Sequence, residues 1–170
     1  MTPEPDTATS TPPPLIASQL EFQSALLWGV RTAVARSARR MWWVDSDFAT
    51  WPLEDPELLH SLSMWLRQPL RRLVFLASDF EQIPRCHPRF MRWRADWAHA
   101  IDAWAPPDEL SAQLPRLLLD DGPVCVHLID ATHWRGRATL DPRAARGWRD
   151  EVDAVLQRST ATFPVGTLGL

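Results

Sequence analysis

"PRLLLDDGPVCVHLID", residues 115–130, reads as two apolar strands joined at Asp121-Gly122. Asp-Gly suits a tight turn between antiparallel strands. Runs this apolar, bounded by turn residues, predict strands buried in a sheet rather than lying on it. The stretch therefore predicts an antiparallel hairpin late in the chain.

Two more apolar runs lie upstream, "MWWVDSDF" (41–48) and "RRLVFLAS" (71–78). Between them, "EDPELLHSLSMWLRQ" offers Asp55 as N-cap, Pro56 at the first helical position, and Leu58, Leu62 and Trp65 along one face. Strand, helix and strand in succession predict a right-handed parallel crossover. Ser18 and Glu21 have capping-box spacing ahead of a helix whose inner face should carry Leu20, Leu27, Val30 and Val34. Ser78 and Glu81 repeat that spacing before a short turn ended by Pro84. "PRFMRWRADW" (88–97) reads as a helix, and "AHAIDAW" (98–104) fits either helix or strand. Asp141-Pro142 opens a last helix, and Phe163–Leu170 is an apolar tail expected to pack back or add an edge strand. The expected fold is α/β: a single domain over 18–170 with a mixed sheet flanked by helices. Residues 1–17, rich in Pro and Thr, are expected to be a disordered tail.

Composition narrows the function classes. The net charge is −3, which gives no global pull toward nucleic acid or anionic membrane. All 18 basic residues are arginine, so no reaction needing a lysine amine can run on this chain alone. Cys86 and Cys125 are too few for a disulfide framework, and reduced thiols in a cytoplasmic protein are expected. The N-terminus lacks a signal-peptide pattern, and no run is long enough to span a membrane.

The element order, with its late hairpin, resembles the phospholipase D-like domain. "LPRLLLDDG" (114–122) can be laid on that superfamily's signature of histidine, any residue, lysine, four residues, aspartate and often glycine. Leu114 then takes the histidine position, Arg116 the lysine, Asp121 the aspartate and Gly122 the glycine. "LIDA" (128–131) falls where the second signature belongs and matches none of it. The chain is also similar to bacterial proteins of unknown function that carry a degenerate form of this domain. The resemblance implies a phospholipase D-like fold whose nucleophile is missing, because leucine has no lone pair to attack phosphorus. The expectation is therefore no catalytic residue, no cofactor, and action by binding or supporting a partner, either another protein or a second copy of the chain.

Nucleic acid ranks behind a protein partner. Its candidate residues are Arg85, His87, Arg89 and Arg92 in "RCHPRFMRWR", with Arg116 as a further anion ligand. A helix N-terminus beside arginines can hold phosphate; the competing reading is a solvated helix face. A third reading is a metal-dependent hydrolase built on strand-end aspartates, Asp45, Asp47, Asp79 and Asp130. Cys125 and His127 share a strand face, but no paired ligand spacing supports a zinc site, and no metal is expected. The ten tryptophans spread along the chain read as core.

Overall fold

The computed structural model describes residues 12–164. Eight strands form one mixed sheet. In chain order they are β1 (Leu15–Ile16), β2 (Arg40–Asp45), β3 (Arg72–Ala77), β4 (Ile101–Ala105), β5 (Arg116–Asp120), β6 (Cys125–Asp130), β7 (Arg135–Thr139) and β8 (Thr160–Ala161). Their order across the sheet is β1-β7-β6-β5-β2-β3-β4-β8. The central β2, β3 and β4 are parallel, and every other pairing is antiparallel. The helices are α1 (Gln19–Ala35), α2 (Pro56–Leu66), α3 (Gln82–Cys86), α4 (Pro88–Asp96), α5 (Asp108–Ser111) and α6 (Pro142–Leu156).

Strand alternation divides the core in two. Met41, Trp43, Leu73, Phe75, Leu118 and Val126 point to the face covered by α1, α2 and α4. Trp42, Val44, Val74, Leu76, Leu117 and Leu119 point to the other face, where Ala145 and Val152 of α6 pack. Trp43 is fully buried, with Trp51 at 5.4 Å and Phe75 at 5.1 Å between ring centroids. The tryptophans of β2 thus pack as core residues, as expected.

Helix starts follow their sequence signals. Ser18 accepts from the Glu21 amide and donates to its carboxylate. Asp55 accepts from the amides of Glu57 and Leu58, and Asp141 from that of Arg143. The Ser78–Glu81 pair does not form a cap: Ser78 donates to the Ser111 carbonyl instead, and Asp79 takes the Glu81 amide. The inner face of α1 also differs. Phe22, Ala25, Leu26, Gly29, Val30 and Ala33 are buried, while Leu20 is exposed. Gly29 lies on this face, against the Leu118 side chain.

Three segments correct the sequence reading. Leu15–Ile16 lie within the expected tail but pair with Arg137 and Gly136 of β7, and Ile16 is buried; residues 1–11 lie outside the described residues. "RGRAT" forms β7, which apolar periodicity could not reveal, because Ala138 is its one buried side chain. The hairpin turn is not of the glycine-dependent kind: residues 121–124 connect the strands, and no described glycine has a positive φ. The edge strand β8 lies before the apolar tail; of that tail Phe163 stacks on Phe80, and residues 165–170 lie outside the described residues.

Gly136 is required by a close approach. A Cβ there would lie 2.5 Å from the His127 carbonyl oxygen and 3.1 Å from the Leu128 Cα, both backbone atoms beside the β6–β7 register shift. Gly136→Ala is expected to cost about 2 kcal/mol through forced strand separation. Gly29→Ala meets only the Leu118 and Val126 side-chain tips and should be close to neutral. Urea denaturation of both variants checks this contrast; equal costs would refute it.

Candidate functional site

The two ends of the parallel strands differ in chemistry. At the C-terminal end of β2, Asp45 is completely buried. Its Oδ2 accepts from the Phe48 amide at 3.1 Å, and its Oδ1 lies 3.1 Å from Arg116 Nε. Arg116 also donates to Ser46 Oγ at 3.4 Å. Burial pushes the Asp45 carboxyl above its ordinary range, and the Arg116 guanidinium opposes that shift. Arg116 thus spends its charge on an internal carboxylate, which leaves it poorly placed as an anion ligand.

The neighbouring aspartates shape loops. Asp47 accepts from the Ala49 amide and Asp79 from that of Glu81. Asp130 accepts from the amides of Thr132 and His133 and pairs with the His133 ring at 2.8 Å. The His133 hydrogen bond holds its carboxyl below the usual range. Among the described residues, no group of three or more His, Cys, Asp and Glu side chains is arranged to hold a metal ion. Cys125 is buried, which raises its thiol to about 11. His127 packs edge-on against Trp148 at 4.6 Å, and burial lowers its basicity.

The Arg85–Arg94 segment does not assemble into one site. The N-terminus of α4 already holds an anion: Glu54 Oε1 accepts from the Phe90 amide at 3.1 Å. Arg89 donates to the Glu54 carbonyl. His87 is buried, with Nε2 2.9 Å from the Phe48 carbonyl, so it helps to fix a loop and does not face an incoming ligand. Arg94 is buried over the Phe163 ring at 3.9 Å and donates to the Phe163 carbonyl. Arg85 and Arg92 remain exposed to solvent. The sequence pattern concealed this because Glu54, the competing anion, lies on a different loop.

The positions of the phospholipase D-like signature are also split. Leu114 precedes β5 and lines an apolar pocket of about 270 Å³ with Leu76, Val152 and Val155. Arg116 opens β5 beside Asp45, whereas Asp121 and Gly122 follow its other end. There the Asp121 carboxylate accepts from the Arg39 amide at 3.2 Å.

That second edge is the basic one. Arg39, Arg40, Trp42, Leu70, Arg72 and Asp121 line an open groove of about 330 Å³ where β2 and β3 begin. Arg36 and Arg67, which end α1 and α2, accord with the negative ends of the helix dipoles. Arg39 and Arg40 extend past those ends and are exposed, and neither side chain has an acidic partner within ion-pair distance among the described residues. Arg40 lies 5.7 Å from the Trp42 ring. Arg72 is shared, paired with Asp102 at 3.3 Å and donating to the His99 carbonyl. In the sequence, Arg36, Arg39 and Arg40 follow the first helix and suit its dipole, which favours a solvated terminus over a ligand site. Arg72 is distant in sequence, and the parallel pairing Arg40↔Arg72 is what brings it beside them.

No family model and no curated protein matches the chain. Among solved structures, the chain is similar to TrmBL2, an archaeal chromatin protein whose structure shows a novel mode of DNA binding. The TM-score is 0.55 at 12% sequence identity. The match covers 83% of this chain and 52% of TrmBL2, so the chain spans about half the length of that protein. At this identity the likeness supports the shared α/β architecture alone. No described helix is long and apolar enough to cross a membrane.

Proposed function

We propose that this is a non-catalytic domain that binds the phosphate backbone of nucleic acid in the Arg39–Arg40–Arg72 groove. The observation that carries the reading is the pair of guanidinium groups, Arg39 and Arg40, that have no acidic partner among the described residues and line one open groove with Arg72. Arginines without an acidic partner break no ion pair to take up phosphate, and each can hold it through two parallel hydrogen bonds. Net charge contributes nothing, so attraction must come from this local arrangement. A structural neighbour that binds DNA lends the reading direction. Descent from a phospholipase D-like domain is part of the proposal. It is supported by the parallel β2–β4 unit followed by the β5–β6 hairpin, with Leu114 where a nucleophile would stand.

Titration of a labelled DNA duplex against salt tests the function. Replacing Arg39 and Arg40 together with Gln is expected to weaken binding at every sequence. It should also lower the slope of log affinity against log salt by about one per arginine removed. Replacing Arg85 and Arg92 with Gln should leave both quantities unchanged. The reverse pattern would move the interface to α4, and no binding by the parent protein would refute the function.

A further inference from the structure

The groove has one wall that phosphate binding does not explain. Leu70 is 81% exposed, at the tip of the turn that joins α2 to β3. Its φ is 62°, in the left-handed region where a side chain on Cβ is strained and glycine is favoured. Exposure and strain both work against leucine here. Glycine would relieve the two together, and no fold contact compensates for keeping the leucine. Strain held at an exposed position points to a functional role.

We propose that Leu70 is an apolar wedge that enters the base stack of a DNA duplex whose phosphates lie on Arg39, Arg40 and Arg72. The inference rests on the reading of this groove as a nucleic-acid interface. Aliphatic side chains flanked by arginines are the groups that unstack a base step from the minor groove and bend the duplex. Pro69 precedes Leu70 and Arg71 and Arg72 follow it, and the leucine lines the same groove as Arg39, Arg40 and Arg72. Arg71 is held by Gln68 at 2.7 Å, which stiffens the turn. A single-stranded ligand would need exposed aromatic platforms. The tryptophan in this groove is instead 8% exposed, leaving the aliphatic tip as the apolar group on offer. An anionic membrane is the other surface that suits leucine among arginines. One leucine supplies far less apolar burial than a single acyl chain, which by itself anchors only marginally.

Leu70→Gly separates these roles. A duplex carrying 2-aminopurine reports unstacking as a rise in fluorescence. The parent protein is expected to produce that rise. Leu70→Gly should abolish it and weaken binding by about tenfold while keeping the salt slope, because no phosphate contact is lost. Its melting temperature should equal or exceed that of the parent. Unchanged affinity and fluorescence in Leu70→Gly, with binding still lost in the Arg39→Gln, Arg40→Gln double variant, would overturn the wedge and leave the groove function standing. Loss in neither variant would overturn both. Flotation with phosphatidylserine vesicles that depends on Leu70, with DNA binding unaffected, would also overturn the wedge and assign the tip to a membrane.

Discussion

Arg116→Ala should destabilise the domain by about 3 kcal/mol near neutral pH, because it strands a completely buried carboxylate. Asp45 would keep the backbone amides of Ser46 and Phe48, but its Oδ1 would lose the Arg116 guanidinium. The deficit should depend on pH in a fixed direction. Burial outweighs Arg116 and already raises the Asp45 carboxyl above its ordinary 3.8. A carboxyl raised on folding weakens the fold as pH climbs from its unfolded value through its folded one. Removing Arg116 raises it further and enlarges that penalty. The difference between variant and parent should therefore be largest near neutrality and shrink as pH falls toward 3.8. Adding Asp45→Asn to Arg116→Ala should recover part of the loss, since the uncompensated charge is then gone. Urea denaturation across pH measures all three. A deficit below about 1 kcal/mol, or one independent of pH, would place Arg116 among ordinary surface pairs.

The same pair shows where sequence reading stops. "MWWVD" and "PRLLLD" declare their strands through apolar runs that only a sheet interior can use, and β2 and β5 formed as expected. The helices were legible because Ser18, Asp55 and Asp141 act on amides two or three residues away. The partners of charged groups were not legible. Arg116 meets Asp45 across antiparallel strands, and Glu54 reaches the Phe90 amide from another loop. Both contacts depend on register and approach that no local pattern encodes. The arginines of "RCHPRFMRWR" therefore suggested an anion site at a helix end that Glu54 already fills. Arg39 and Arg40 looked like helix-end charges until the parallel register set Arg72 beside them. β7 was missed for a related reason: a strand with one small apolar residue, Ala138, gives no apolar alternation to count.

Asp120→Ala is expected to cost about 3 kcal/mol, because two backbone donors lose their acceptor in a buried turn. Asp120 Oδ1 accepts from Gly122 at 2.8 Å and from Val124 at 2.9 Å, and the side chain is buried. This carboxylate closes the hairpin turn at Asp121-Gly122. Arg149 of α6 holds the same turn from outside, donating to the Asp120 and Gly122 carbonyls. Asp120→Asn distinguishes hydrogen bonding from charge. The amide oxygen still accepts from both donors, and the charge that burial disfavours is removed. Desolvation raises the Asp120 carboxyl despite its two amide hydrogen bonds. The parent therefore loses stability through this group as pH rises above 3.8, and the Asn variant does not. Relative to the parent, Asp120→Asn should gain with rising pH, while Asp120→Ala should be destabilised throughout the range. Amide exchange at Gly122 and Val124 should quicken in Asp120→Ala and stay slow in Asp120→Asn. Equal losses in the two variants would show that charge, and not the paired amides, holds the turn. The difference also reaches the groove: Asp121 takes the Arg39 amide from this turn, so a loosened turn frees one wall beside Arg39. DNA affinity in Asp120→Asn should then match the parent, and in Asp120→Ala it should fall only as far as the turn itself has opened.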